Sequence, residues 1–274
     1  LLTAGAVLFV IWDCITNTPV SWVQKLAWIL VTFYTGPIGA FVYLLACRNP
    51  GPGMHDAFTA AHWKQSVNSE MHCLAGDATG IVLAAVVVSA FDLPNGVDIV
   101  IEYLTAFLVG LLVFQALMMR SMYDGDYVKA IRKTFFAETV SMNMVMVGMI
   151  PTMVILKHLW PEGRDPTRPL FWFIMGMGTI VGGLTAYPIN SWMVRRHLKH
   201  GCMTVSEPGR ESPGDEDMPD MSDVSDMSDM SDMDHEMGSI PTGRAVVIVV
   251  ATFALLLFAG WITSTFVAPI VFTR

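Results

Sequence analysis

The chain has 274 residues, of which 53% are hydrophobic and only 15% are charged. Its apolar residues occur in blocks of about 20, the length at which a helix crosses a bilayer, and this pattern excludes a soluble globular protein. The net charge of −8 arises in residues 207–236, which hold twelve of the 24 acidic residues and one of the 16 basic residues. The four cysteines are far apart in the sequence, which argues against a disulfide framework.

We predict an all-α fold, namely a polytopic integral membrane bundle of about seven transmembrane helices. The hydrophobic spans cover residues 1–16, 22–46, 72–92, 98–119, 135–156, 170–193 and 245–269. The first span is apolar from Leu1 onward with no basic leader, so we expect it to be the remainder of a truncated helix. The predicted domains are a bundle over residues 1–200, a linker over 201–243 and a C-terminal membrane helix within 244–274.

The basic residues predict which side of the membrane each loop occupies. With the N-terminal side in the cytoplasm, Asp13 lies near the outer face and Arg48 on the inner side. The inner loops then collect most of the basic residues, as the positive-inside rule requires. These residues are Arg48, Lys64, Arg120, Lys129, Arg132, Lys133, Arg195, Arg196, Lys199, Arg210 and Arg244. We therefore predict a multi-pass protein of the cell (cytoplasmic or inner) membrane, with its linker in the cytoplasm.

The linker over 201–243 is rich in Ser, Asp, Pro and Gly and contains a Met-Ser-Asp repeat that begins at Met221. A segment of this composition cannot bury an apolar core, so we predict that it is disordered. An alternative is a weak collector of metal ions, because its thioethers suit soft ions and its carboxylates hard ones. His235 would join the linker's methionines as a ligand in that case.

The same topology brings polar residues of three spans to one depth in the membrane. They are His72, Cys73 and Asp77 at the start of the third span, Glu138, Ser141 and Asn143 in the fifth, and Tyr187 and Asn190 at the end of the sixth. Ionisable groups are costly in lipid and commonly mark functional sites, so we predict a polar site in the cytoplasmic third of the bundle. The alternative is that these groups only hydrogen-bond neighbouring helices. Gly76 and Gly80 share one face of the third span and predict a close helix approach there.

The fifth span also presents a row of methionines at helical spacing. Met142, Met146, Met149 and Met153 follow Glu138 along one face. Thioethers and thiolates are ligands for Cu(I), so we predict a metal site with a path leading from it. Its residues are His72, Cys73, Asp77, Glu138, Met142, Met146 and Met149. The alternative is that methionine acts here as a flexible apolar filler.

Several motifs resemble a prokaryotic polytopic membrane family that is known only as a domain of unknown function. The motifs are His72-Cys73-x-x-Gly76, Ser141-Met142-Asn143 with Gly148-Met149, Ala186-Tyr187-Pro188-Ile189-Asn190-Ser191-Trp192 and Tyr34-Thr35-Gly36-Pro37. The resemblance covers about residues 20–200 and implies no established activity, although it associates the chain with copper-handling proteins. The family often has a second Cys where this chain has Asp77, and an Asp where it has Ile81. That difference replaces a soft ligand with a hard one.

Three functions remain open from the sequence. The first is handling or transport of a metal ion, with copper as the candidate ion and cofactor. The second is a non-catalytic accessory subunit that docks on a membrane-protein partner or a second copy of itself. The third is proton-coupled transport of a small solute, with Asp77 and Glu138 as the proton-binding pair. We find no motif of a hydrolase or an ATP-driven pump, and we expect neither an enzyme nor a nucleic-acid partner. The expected partners are the lipid bilayer and either another membrane protein or a second copy of the chain.

Overall fold

The computed structural model describes residues 1–91, 93–202 and 240–273. All regular elements of the described residues are helices, and five of these helices are long and apolar enough to cross a membrane. This confirms the prediction of an all-α polytopic membrane bundle. The predicted disordered linker over 201–243, with its methionine repeat and His235, falls for the most part on residues 203–239, which lie outside the described residues.

Ten α-helices make up the described chain. They are α1 (Leu2–Thr16), α2 (Trp22–Thr35), α3 (Pro37–Ala46), α4 (His55–Thr59), α5 (His62–Val88), α6 (Asn95–Leu108), α7 (Ala116–Met119), α8 (Tyr127–Leu159), α9 (Pro169–Arg195) and α10 (Thr242–Phe266). A π-helical segment, Val109–Gln115, joins α6 and α7 into one rod of membrane length. Short 3-10 turns follow at Arg120–Tyr123 and Pro161–Arg164.

The predicted second span, residues 22–46, is a helical hairpin rather than one transmembrane helix. Gly36 has a φ of 63°, a left-handed conformation that glycine adopts without strain. Pro37 is the first residue of α3, where the backbone N–H that proline lacks would have no partner within the helix. The two arms run antiparallel, since Trp28 of α2 packs against Tyr43 of α3 with ring centroids 5.5 Å apart. The described residues therefore hold five membrane-length helices and shorter apolar ones where seven spans are predicted, because the apolar run 22–46 reverses direction at Gly36.

The hairpin also corrects the predicted sidedness of α1. Arg48 Nε lies 3.2 Å from Oδ1 of Asp13, although the two were placed on opposite sides of the membrane. Asn17 and Asn49 exchange hydrogen bonds of 2.9 and 3.1 Å with each other's backbone carbonyls. The ends of α1 and α3 thus lie at one level. We call this level the basic end of the bundle, and it also holds the start of α5 and α8 and the end of α9.

Helix α5 is the central element of the bundle. In its most apolar stretch 78% of the residues are buried, against 11% for the peripheral α10. Its glycine face contacts the α6 rod backbone to backbone, because a Cβ at Gly76 would lie 2.7 Å from Cα of Gly110. Gly80 meets Ala106 in the same way. The close approach predicted for Gly76 and Gly80 is therefore present, and it brings the side chains of α5 against the rod.

Candidate functional site

The helices that carry the predicted site begin earlier than the hydrophobic spans do. Helix α5 starts at His62 rather than residue 72, and α8 starts at Tyr127 rather than residue 135. The start of α8 is fixed by Asp126, whose side chain accepts a hydrogen bond from the backbone N–H of Lys129. Cys73 and Glu138 therefore lie well inside their helices instead of in the first turns, because polar residues extend both helices beyond the apolar stretch.

A buried thiol lies at the meeting point of three elements. Cys73 of α5 donates to Oε2 of Glu138 in α8 over 2.9 Å. Gln115, the last residue of the π-helical segment, donates to the Cys73 sulfur at 2.7 Å and to Glu138 Oε2 at 3.0 Å. Cys73 and Glu138 are fully buried and Gln115 nearly so. These contacts join α5, the α6 rod and α8 through a thiol, an amide and a carboxyl group.

A lysine from beyond the end of α9 completes the cluster. Lys199 is 6% exposed, and its ammonium group donates to the Cys73 sulfur at 2.8 Å and to Ser141 Oγ at 3.3 Å. It also donates to Oδ1 of Asn190, which accepts a 3.0 Å hydrogen bond from Ser141. A buried cation held by three side chains is costly unless its charge is balanced, and the balancing groups here are acidic. We call Cys73, Gln115, Glu138, Ser141, Asn190 and Lys199 the central cluster.

The end of α9 explains how Lys199 reaches the cluster. Leu198 N–H bonds to the carbonyl of Met193 at 2.9 Å, and His197 N–H bonds to that of Val194 at 3.1 Å. These two bonds form a Schellman motif, in which His197 adopts the left-handed conformation with a φ of 56°. Leu198 and Met193 belong to one buried apolar cluster, and an apolar contact of this kind frequently accompanies the motif. The chain therefore reverses direction, and the next residue, Lys199, points back into the bundle.

Asp77 and Glu138 face each other across Gly110. A Cβ at Gly110 would touch Oε1 of Glu138 and lie 2.9 Å from Oδ1 of Asp77. Both Asp77 oxygens and Oε1 of Glu138 lack a hydrogen-bond partner within the described residues. Two adjacent buried carboxylates repel each other when both are ionised, so this pocket favours a shared proton or a bound cation.

The four predicted ligand residues of α5 and α8 do not converge on one point. Cys73 and Glu138 are in contact and Asp77 faces Glu138, but no three of these residues bring their ligand atoms within 4.8 Å of one another in the described chain. His72 is buried, and neither of its ring nitrogens has a hydrogen-bond partner among the described residues. A metal ion bound by all four would therefore require side-chain movement.

The predicted methionine row is present as a continuous buried face of α8. Met142, Met146, Met149 and Met153 are each at most 2% exposed. Met149 and Met153 pack against Gly178 of α9, where a Cβ would lie 3.2 and 3.1 Å from their Cγ atoms. Met153 also lines a cavity of about 730 Å³ at the end opposite the basic end. The row thus leads from Glu138 to the wall of that cavity.

Two predicted polar residues lie apart from the central cluster. Asn143 accepts a 2.8 Å hydrogen bond from Tyr103 of α6 and donates to Thr252 of α10 at 3.1 Å, so it joins α8 to two other helices. Tyr187 is half-buried, and no hydrogen bond among the described residues links it to the cluster. Ser141 and Asn190 belong to the cluster, whereas Asn143 and Tyr187 do not.

Sequence reasoning missed Gln115, Lys199 and Glu70. Gln115 is the one amide side chain in the apolar span 98–119, and a polar residue of this kind in an apolar span indicates a candidate site residue. Lys199 follows Arg195 and Arg196, so in the sequence it resembles the basic residues of a loop rather than a buried residue. Glu70 precedes the predicted span, yet it is 2% exposed and its Oε1 has no hydrogen-bond partner within the described residues.

Comparison with known proteins gives a family and no function. A family model described as Domain of unknown function (DUF4396) matches residues 62–199, which include the whole central cluster. The hairpin motif Tyr34-Thr35-Gly36-Pro37 lies outside the match. No curated protein and no solved structure matches the chain significantly. Because the match covers half of the sequence and the whole of the site, the chain belongs to the DUF4396 family of membrane proteins.

Proposed function

We propose that this protein handles a soft metal ion, with Cu(I) as the candidate, and conducts it between the cavity near Met153 and the central cluster. The observation that carries the proposal is the buried row of thioethers joining these two places. From Glu138 to Met153 the helix rises about 22 Å at 1.5 Å per residue, roughly two thirds of a hydrocarbon core. Thioether sulfur is a soft ligand that holds Cu(I) without carrying a charge of its own.

The cavity is the proposed entrance for the cation. Its wall includes Asp98 and Glu102 of α6 and Lys157 and His158 of α8. Glu102 is tied to Lys157 by an ion pair of 3.3 Å, whereas Oδ1 of Asp98 is buried without a hydrogen-bond partner in the described chain. A carboxylate at the mouth attracts a cation electrostatically, and Met153 in the same wall is the first soft ligand beyond it.

The central cluster supplies the chemistry for binding at the other end of the row. Cu(I) binds thiolate rather than thiol, so the Cys73 proton must leave when the metal–sulfur bond forms. Glu138 Oε2, at 2.9 Å from the sulfur, is placed to accept that proton, and Lys199 at 2.8 Å stabilises the thiolate before the metal arrives. Asp77 faces the other oxygen of Glu138 and can share the proton.

Metal analysis tests this proposal. The protein is purified without a histidine tag, with Cys14, Cys47 and Cys202 replaced by Ser so that Cys73 is the sole thiol. We expect this protein to retain Cu(I), and we expect Cys73→Ser and Met146→Leu each to reduce the bound copper. Met144→Leu is the matched control, since Met144 lies on the same helix but off the row and is only half-buried. Equal copper in all four proteins would end the proposal.

Proton-coupled transport of a small solute is the second candidate, and the facing oxygens of Asp77 and Glu138 favour it. Both Asp77 oxygens and Oε1 of Glu138 lack a hydrogen-bond partner in the described chain, and two such buried carboxyl groups can take up and release one proton between them. Glu138→Gln would then abolish the pH dependence of solute uptake by proteoliposomes. Uptake that is independent of pH and survives Glu138→Gln would rule this candidate out.

A further inference from the structure

A second set of soft ligands lies at the basic end, away from the central cluster. Cys47 follows the last residue of α3, His55 is the first residue of α4, and Cys202 lies just beyond the end of α9. One ligand atom from each residue lies within 4.8 Å of the other two. Among the described residues, they are the one group of three such side chains with this spacing. All three lie outside residues 62–199 that match the family.

The geometry points to a binding site for a single soft metal ion at Cys47, His55 and Cys202, with Cu(I) as the ion that fits best. Two thiolates and an imidazole are ligands that Cu(I) and Zn²⁺ accept, whereas Mg²⁺ and Ca²⁺ prefer oxygen. A structural zinc site is closed by four protein ligands, and the described residues supply three here. A three-ligand sulfur-rich site therefore suits Cu(I) better. This site is separate from the path proposed above and does not depend on it.

A hydrogen bond fixes the ring of the histidine. His55 Nε2 lies 2.9 Å from the backbone carbonyl of Cys47, so the ring donates its Nε2 proton to that oxygen. Histidines that bind metals usually have one ring nitrogen fixed by such a bond. His55 is 2% exposed, so its ring is enclosed by the protein.

Hydrogen bonds hold the three ligand segments together without a metal. Gln65 of α5 accepts from the Cys202 backbone N–H at 2.8 Å and donates to the carbonyl of Thr59 at 2.9 Å. Thr59 in turn donates to the carbonyl of His55 at 2.9 Å. The loop after α9 is thereby fixed to α4, and Cys202 is brought to Cys47. A preformed site loses less conformational entropy when it binds its ion.

Burial distinguishes this group from cysteines that only fill space. Cys47 is fully buried and Cys202 partly exposed, so the site has one closed and one open side. Binding of a soft cation would displace the protons of the two neighbouring thiols, and the charge of the cation would balance that of the thiolates.

A Cu(I) titration of the full-length protein tests this site. The background is Cys73→Ser, so that the proposed path contributes no thiol, and the reduced protein is titrated without oxygen against a coloured Cu(I) chelator. We expect one Cu(I) to be withheld from the chelator by the background protein. Adding Cys202→Ser or His55→Gln should release it. Cys14→Ser is the matched control, since Cys14 is a buried thiol outside the group.

Several results would contradict the proposed site at Cys47, His55 and Cys202. Absence of bound Cu(I) in the background protein overturns the inference, as does equal retention in the Cys202→Ser and His55→Gln proteins. Stoichiometric Zn²⁺ at these residues with no Cu(I) binding overturns the choice of ion, and a Cys47–Cys202 disulfide in protein purified under reducing conditions overturns the site. The earlier experiment uses protein that lacks Cys47 and Cys202, so equal copper in its four proteins would refute the path and leave this site standing.

Discussion

Replacement of Gly76 by alanine tests the packing that assembles the central cluster. The new Cβ would lie 2.7 Å from Cα of Gly110 and 3.1 Å from the ring of Phe114. Carbon atoms prefer separations of about 3.5–4.0 Å, so the α6 rod must move away from α5 by about 1 Å. Overpacking of this kind costs about 1–3 kcal/mol, against a gain of about 1 kcal/mol in helix propensity. We therefore expect a net loss of stability, accompanied by a longer Gln115–Cys73 contact.

Gly260 provides the matched control for this substitution. It lies in α10, and a Cβ there would meet no atom within 4 Å. Gly260→Ala should therefore keep the full propensity gain of about 1 kcal/mol. Thermal unfolding in detergent should give the order Gly260→Ala, wild type, Gly76→Ala, from most to least stable. If Gly76→Ala unfolds at the same temperature as Gly260→Ala, the close contact between α5 and the rod does not exist as described.

Three further substitutions test separate parts of the account. Lys199→Met should lower the unfolding free energy by about 1–3 kcal/mol, because the oxygen acceptors around the ammonium group lose their donor; an unchanged urea midpoint would contradict a buried lysine. His197→Gly should raise it by about 1 kcal/mol by relieving the left-handed conformation, whereas His197→Ala should give no such gain. Tyr43→Phe should cost about 1–2 kcal/mol, since its hydroxyl donates to buried Asp13 at 2.6 Å, while Tyr187→Phe should be neutral in the same thermal assay.

The sequence could predict the parts of the site that depend on the cost of polar groups in lipid. Cys73, Asp77 and Glu138 are exceptions within apolar segments, and that cost is a property of the residues themselves. The glycines of α5 could be predicted for a similar reason, because two small residues four apart on one helix face permit backbone contact. Neither inference requires knowledge of which helices are neighbours.

Other features depend on geometry that hydropathy does not record. The α2–α3 hairpin is apolar on both sides of Gly36, so an average over residues 22–46 cannot distinguish a reversal from a crossing. The position of Lys199 depends on a left-handed residue at 197, where the chain has His instead of the usual Gly. The Cys47, His55 and Cys202 group joins residues up to 155 positions apart, so no local spacing indicates it.

Copper flux through reconstituted vesicles tests the proposed path most directly. Proteoliposomes loaded with a Cu(I) chelator are exposed to Cu(I), and the rate of chelate formation inside is compared for wild type, Met146→Leu, Cys73→Ser and Met144→Leu. The account predicts that wild type and Met144→Leu conduct copper, while the other two fall to the rate of protein-free vesicles. Equal rates in all four proteins, or no flux above the protein-free rate in wild type, would contradict it.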